Sequence, residues 1–431
     1  MKILLVSYIY GNTLVGGAER FMAGLTRALT NSGHHVEVAT TTASSLQALS
    51  EFGIHWVKGN PEGDMEEDGI PIHRFDVKNH DNLQRIASKV LLRRVQNDLK
   101  GRSYLNEDPE TWIRFLVSMA KRRPSFYQSL YKFCRGPASP GLRSFLRART
   151  REFDGVLATM VPFNTMAYAA RAAHQAKRPV GVIPLFHHLD WYHHWSHFYE
   201  TFREADHLFV LNDDSVSLFN RMGCRATRLG VGFDPSDFPG EPEGSRGFRD
   251  RFHLPQTGAM ALFVGRKVQS KRYDLAMETI KRLRSKGYDV FLVMVGPEED
   301  RKVVAGDGVF YLNRLPRREL LHAYQACDFL LEPTEFESFG IIFCEAWMYE
   351  KPVIGNRRCP AVASLIRHGK DGFLCSTVDE FTASVIALLR EPESGRKMGK
   401  LGRQKVLSEY TWHRIVKKIE AGLFRDRGDM P

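Results

Sequence analysis

Nowhere in the 431 residues do two cysteines stand at C-x-x-C spacing. The six thiols, at 134, 224, 327, 344, 359 and 375, are scattered. That pattern argues against a disulfide framework and a structural zinc site, and it suits a reducing compartment. No apolar run approaches the roughly 18–20 residues that a membrane helix requires. The opening MKILLVSYIYG sets one lysine before an apolar stretch, but it lacks a small-x-small cleavage site and runs into GGAER. It reads as a buried first strand rather than a signal peptide, and a cytoplasmic location is the expectation.

Hydrophobic residues make up 43% of the chain, which excludes a disordered polymer. The length exceeds what one ordinary core supports and implies two domains of roughly 200 residues each. The net charge of +11 is uneven: residues 85–151 hold sixteen Lys/Arg against four Asp/Glu. A surface of that sign attracts nucleic acid, anionic lipid or an anionic substrate alike, and a solvated helical face carries charge as well.

KILLVSY is followed by the glycine-containing GNTLVGGAER, then by FMAGLTRALTNSG with Phe21, Leu25 and Leu29 at helical spacing, then by HVEVATT. Strand, turn, helix, strand is one βαβ unit. The alternation continues through 154–159, 180–186 and 207–211, as in a parallel sheet covered on both faces. The interval 83–150 interrupts it with RIASKVLLRRVQNDL, ETWIRFLVSMAKRR and FYQSLYKF, read as inserted helices. Glycine, proline and charge concentrate at 235–258, a linker by composition. From Ala259 a second βα series begins. The fold class is thus α/β, with two Rossmann-like, doubly wound parallel-sheet domains facing across a cleft. The expected domains are 1–238, with the helical insertion at about 83–150, and 239–405. A helix within 406–431 is expected to pack back on the first domain.

Two stretches carry chemistry. In EFESFGIIFCEAW, Glu337 and Glu345 flank a helix start at Phe339-Gly340, with Ser338 placed to cap it. Amides at Phe339, Gly340 and Ile341 would face an anion there, because a helix start carries about half a positive charge. Glu345, read as an exposed carboxylate on that helix, would accept from a ribose diol. In VGRKVQSKR, Gly265 permits a tight turn, and Arg266 and Lys271 bring two cations to the sheet edge. Such cations neutralise a diphosphate without a metal ion.

These pieces, with VMVG, ACDFLLEP, KPVIG and HGKDGFL in the second half and GGAER, ADHLFVLNDDS and LGVGFDPSDF in the first, resemble retaining glycosyltransferases of family 4, which have the GT-B fold. The resemblance spans nearly the whole chain apart from about 45–150. It implies a nucleotide-sugar donor, with a UDP-sugar favoured over GDP-mannose, and transfer of a hexose-type sugar to a saccharide, lipid or small-molecule hydroxyl. No cofactor and no metal are implied. Arg266 and Lys271 would bind the diphosphate and Glu345 the ribose. Glu337 would sit against the sugar, and Gly16 and Gly17 would approach the donor phosphates. A sugar-nucleotide epimerase and a non-catalytic nucleotide-sugar-binding subunit are the alternatives. The chain departs from the family at Glu350, where glycine is usual, so the preceding helix is expected to end without a left-handed cap. It departs also at Ser364 and Asn313.

FHHLDWYHHWSHF, 186–198, gathers five histidines at the end of an N-domain strand. His187, with His188 as the alternative register, matches the family's active-site histidine. His193 and His197 have a spacing compatible with zinc, but the resembling family needs no metal, and the others read as wall residues. The basic 85–151 region is the expected contact to an anionic membrane surface, placing the protein peripherally at the inner face. No nucleic acid is expected as a partner.

Overall fold

The computed structural model describes residues 1–11, 17–43, 59–78, 90–91, 108–123, 126, 138–161, 163–187, 196–240, 244–298, 306 and 308–424. The chain forms two compact units, one of Met1–Gly232 with Trp412–Pro431, the other of Phe233–Thr411.

The strands of the first unit are β1 (Lys2–Val6), β2 (His35–Thr41), β3 (Gly63–Glu67), β4 (Ile70–Phe75), β5 (Gly155–Thr159), β6 (Val180–Ile183), β7 (His207–Val210) and β8 (Ala226–Arg228). Among the described residues they make one sheet in the order β3-β4-β2-β1-β5-β6-β7-β8, parallel except where β3 runs against β4. Its central strands are apolar runs because helices cover both faces: Leu4, Val6, Val156 and Val182 are all fully buried. The helices are α1 (Gly17–Asn31), α2 (Pro109–Ala120), α3 (Pro140–Arg149), α4 (Asn164–Gln175), α5 (Ser196–Glu204) and α6 (Asp213–Arg221).

The interval expected as an insertion is partly core. Trp112, Leu116 and Met119 of α2 and Leu142 and Leu146 of α3 join the same buried cluster as Val6 and Val156. Asp108 and Ser139 cap the two helices, each ahead of a proline in the first turn. The β3–β4 hairpin was not anticipated; its outer strand, GDMEE, has no apolar alternation to betray it. Most of RIASKVLLRRVQNDL and FYQSLYKF lies outside the described residues.

Beneath the start of β2, Glu37 is 7% exposed and accepts from Lys2 (2.9 Å), His73 (2.9 Å) and His35 (3.2 Å). Burial alone would raise its pKa, but these hydrogen bonds outweigh it and hold it at about 2. A carboxylate whose folded pKa lies below its unfolded one stabilises the fold above the unfolded value, here 4.5, and loses that stabilisation as pH falls toward 2. The contribution is on the order of 3 kcal/mol. Urea unfolding of Glu37→Gln is expected to show that loss at pH 7 and a flatter decline between pH 5 and 3. Equal pH dependence in the two proteins would contradict it.

The remaining helix of this unit, α14 (Trp412–Phe424), returns from the far end of the chain. Trp412 lies on Gly24 of α1 and on Gly232, where any Cβ would collide with its ring. His34 binds Glu420 at 2.8 Å and Lys418 donates to Leu229 O at 2.9 Å. The helix is thus seated on the first unit.

The second unit has β9 (Ala259–Val264), β10 (Val290–Val295), β11 (Val309–Leu312), β12 (Phe329–Glu332), β13 (Val353–Asn356) and β14 (Gly372–Cys375). Its helices are α7 (Gly244–Arg251), α8 (Tyr273–Ser285), α9 (Arg317–Ala326), α10 (Ile341–Met348), α11 (Pro360–Leu365), α12 (Val378–Arg390) and α13 (Pro392–Glu409). All strands are parallel, in the order β11-β10-β9-β12-β13-β14. That is the doubly wound arrangement, whose order reverses between its first and fourth strands, β9 and β12. The stretch 235–258 is only partly a linker: α7 sits inside it and buries Phe248.

Helix α10 ends at Met348, and Glu350 adopts the left-handed conformation itself (φ 57°), which corrects the expectation of a missing cap. Glu350 N donates to Trp347 O at 2.8 Å and Lys351 N to Ala346 O at 3.0 Å, closing the turn as a glycine would. Gly399 and Gly402 of α13 let that helix lie against the Glu350 carbonyl and the Trp347 ring. Lys405 and Arg367 then neutralise the fully buried Asp371, at 2.7 and 2.5 Å.

Candidate functional site

In an open doubly wound sheet, ligands bind beyond the carboxyl ends of the strands at the point where the order reverses. In the second unit that point is flanked by the turn after β9 and the loop after β12. The turn continues the β9–β10 pairing beyond the strands, with Gly265 N on Val295 O and Lys267 N on Pro297 O, both at 2.9 Å. Gly296, the glycine of VMVG, has φ 127°, and a Cβ there would strike the Gly265 carbonyl oxygen. Only glycine lets the two turns approach so closely.

Three links join the turn to the loop after β12. Glu335 N donates to Ser270 O at 3.0 Å, Arg272 pairs with Glu335 at 2.7 Å, and Lys271 pairs with Glu337. Arg272 takes the left-handed conformation (φ 50°) to start α8, so Lys271 and Arg272 serve different carboxylates. Lys271 keeps 18% exposure and Glu337 17%. Burial would lower the Lys271 pKa, but Glu337 and Glu332 outweigh it and hold the ammonium above its ordinary value. Arg266 is exposed on the same turn. Of the expected residues, Arg266, Lys271 and Glu337 therefore share one edge.

The remaining expectations for this unit are met differently. Ser338 does not cap α10; Gly340 occupies that position at φ 95°, so the helix starts at Ile341. Phe339 is 3% exposed and its ring meets Tyr410 edge-on at 5.1 Å, which makes it a core side chain. Glu345 is not an exposed carboxylate. It is 2% exposed, with Arg317 on Oε1 at 2.6 Å and the Tyr324 hydroxyl on Oε2 at 2.8 Å. Helix α10 is apolar nearly all round, so a carboxylate on it has to be buried and paired. Ser364, where the family has a glutamate, lies on the short helix α11 and bonds Ala361 O at 3.0 Å.

Sequence reasoning missed Lys267, Arg272, Glu332 and Glu335. Lys267 is fully buried, donates to Met294 O (3.4 Å) and Gly296 O, and lies 4.3 Å from the Tyr311 ring centre. Burial lowers its pKa to about 7, although Glu332 and Glu298 counter in part. The signal was available: RKVQSKR carries four cations, and EPTEFE, 332–337, carries three carboxylates.

In the first unit the carboxyl edge holds Gly17, the first residue of α1, and His187, beyond β6. Strand β6 stops at Ile183, three residues short of the expected end, because Pro184 and the left-handed Leu185 (φ 49°) turn the chain. Phe186 is buried against Phe202 and Phe219, and His187 follows it half-buried. Gly16, His188 and His193 lie outside the described residues; His197 is buried on α5. The described thiols at 224, 327, 344, 359 and 375 are all buried. Burial raises each pKa, to about 11 for Cys224 and about 12 for Cys359, which removes them as nucleophiles. Among the described residues, no helix is long and apolar enough to cross a membrane.

The family model described as "Glycosyl transferases group 1" matches residues 246–405, and "Glycosyl transferase 4-like domain" matches 16–231. The chain is 22% identical over 440 residues to glycogen synthase of Mycobacterium tuberculosis (strain CDC 1551 / Oshkosh), covering 96% of this chain and 92% of that protein. It is 27% identical over 251 residues to D-inositol 3-phosphate glycosyltransferase of Thermobifida fusca (strain YX), 52% of this chain and 55% of that one. Among solved structures, Anabaena Alr3699/HepE in complex with UDP and glucose superposes with a TM-score of 0.64 at 15% identity, over 97% of this chain and 98% of that one. The two family models fall on the two doubly wound units, one of them matching half of the chain. The chain belongs to glycosyltransferase family 4 and has the GT-B fold.

Proposed function

We propose that this glycosyltransferase moves a hexose-type sugar from a nucleotide-sugar donor to an acceptor hydroxyl with retention of configuration and without a metal. The observation that carries the reading is the set of paired charges where the strand order of the second unit reverses. There Lys271 is held charged beside Glu337, with Arg266 exposed on the same turn. The difficult step in sugar transfer is charge separation, as the anomeric carbon parts from the diphosphate. Arg266 and Lys271 meet the developing negative charge, and preorganised cations do so without reorganising at that moment. In the free protein Glu337 occupies Lys271; a bound donor takes that cation and leaves Glu337 to accept from sugar hydroxyls.

Glu345 is assigned to the ribose, with Arg317 and Tyr324 fixing its orientation. Gly17, Gly16 and the amides of Phe339, Gly340 and Ile341 are assigned to donor phosphate and sugar, and His187 to the transferred sugar. A UDP-sugar is the favoured donor, consistent with the UDP bound in the Anabaena Alr3699/HepE structure. The acceptor is a saccharide, lipid or small molecule, and the basic 85–151 region is assigned to an anionic membrane surface.

UDP-, GDP-, ADP- and dTDP-sugars incubated with a mixture of saccharide and lipid acceptors are expected to release the nucleoside diphosphate from one of them, in EDTA, with the anomeric configuration kept. Interconversion of the donor sugar without acceptor would replace this reading by an epimerase.

A further inference from the structure

The turn after β9 carries one cation that is sealed from solvent. Lys267 is fully buried, yet both its main chain and its side chain grip the end of β10. Its amide donates to Pro297 O at 2.9 Å. Its ammonium reaches Met294 O at 3.4 Å and Gly296 O, and stands 4.3 Å from the centre of the Tyr311 ring on β11. An ammonium has three N–H bonds, and two carbonyls with one ring face account for all three. Burying that charge is costly, and a methionine would fill the same slot without the cost. Packing therefore does not account for a lysine here; the carbonyls it grips do.

What those bonds hold in place is the turn. Lys267 follows Arg266 directly, and Val268 O accepts the Lys271 amide at 2.9 Å, so the clamp sits between the two cations assigned to the diphosphate. Gly296, whose carbonyl the ammonium grips, is also the residue whose missing Cβ lets the turns after β9 and β10 meet. The glycine permits the approach, and the lysine draws the two turns together. The groups that face Lys267 are Glu332 at the end of β12, Glu298 beyond β10 and Tyr311 on β11. Burial outweighs the two carboxylates and brings its pKa down from 10.5 to about 7. Burying the charge thus costs most below pH 7, and that cost fades as pH rises from 7 toward 10.5. The grip changes the other way. A neutral amine keeps two N–H bonds but loses the charge that strengthens them and the attraction to the ring.

We infer that Lys267 is a positioning residue for the donor diphosphate: its ammonium clamps the Gly296 carbonyl and so sets where Arg266 and Lys271 stand. The inference rests on the donor reading above. Lys267 acts through its two neighbours rather than on the donor, and only its charged form grips fully.

Wild type, Lys267→Met and Lys271→Ala are compared for affinity toward UDP-, GDP-, ADP- and dTDP-sugars in EDTA, at about pH 6 and about pH 8.5, either side of the Lys267 pKa. The ratio between two variants cancels the titration of every group they share. With the donor that wild type binds, Lys267→Met is expected to be about tenfold weaker near the lower pH, the value of hydrogen bonds to a charged group. Near the higher pH it is expected to lie within about threefold of wild type. Its melting temperature near the lower pH is expected to be at least that of wild type, since a buried charge has gone. A residue that only held the structure together would lower the melting temperature and give one ratio at both pH values. That result would overturn the inference, as would a ratio near one at both. Should Lys267→Met not fold, Glu298→Gln decides. It removes a carboxylate that favours the ammonium, so the fall of donor affinity with rising pH is expected to begin at lower pH than in wild type. An unmoved or absent fall would overturn the inference. Lys271→Ala separates the two levels. If it weakens binding while Lys267→Met does not, only this inference falls. If no donor binds wild type, or Lys271→Ala binds as wild type does, the donor reading falls with it.

Discussion

Lys271→Ala lowers the rate of nucleoside diphosphate release by about 10²–10³-fold, the loss typical when one preorganised stabiliser of developing negative charge is removed. Arg266 on the same turn is already assigned to the diphosphate, and the two other cations of the stretch are committed elsewhere. Arg272 is engaged by Glu335 and Asp274, and Lys267 is sealed beneath the turn among main-chain carbonyls. The same change leaves Glu337 without its partner, so stability falls too, by up to about 3–5 kcal/mol for a buried pair and less at this partly exposed one. The double variant Lys271→Met/Glu337→Gln separates the effects, because it removes both charges together. It is expected to recover most of the melting temperature and none of the turnover. Recovery of turnover would show that Lys271 acts only by holding the loop.

The second large effect belongs to a residue with no side chain. Gly296→Ala is expected to destabilise the protein by roughly 2–5 kcal/mol, from an unfavourable φ and a backbone collision together. The collision is with the Gly265 carbonyl, so relief requires the turn carrying Arg266 and Lys271 to move away from β10. Nucleotide affinity should therefore fall along with the melting temperature. Gly287→Ala is the control: Gly287 has φ 84° and nothing within 4 Å of where a Cβ would stand, so strain without collision should spare nucleotide binding. Equal loss of binding in both variants would deny the close approach its role.

The fold was legible where apolar runs and turn chemistry agree. KILLV, VFLVMV and FLLE are buried strands because parallel sheets are covered on both faces, and that pattern needs no alignment to see. It failed where neither signal operates. GDMEE pairs with β4 by backbone alone, and α2 and α3 bury one face while their cations suggest a solvated insertion. In the site, the pairing of Lys271 with Glu337 was not foreseen, although both residues were picked out. Glu345 was misjudged for a physical reason. It reads as exposed in the sequence, whereas the helix that bears it is apolar, and Arg317 and Tyr324 come from a separate helix, 28 and 21 residues earlier. The left-handed Glu350 shows the reverse error: a missing glycine was taken for a missing cap, when Gly399 and Arg403 on α13 accommodate the strained residue.

A thermal-shift screen of wild type, Arg266→Ala and Lys271→Ala against UDP, GDP, ADP and dTDP sugars, in EDTA, tests the central claim most directly. The account predicts that at least one donor class raises the wild-type melting temperature and that each substitution reduces that rise. No rise in wild type with any of the four, or an undiminished rise in both variants, would contradict the assignment of the donor diphosphate to the turn after β9.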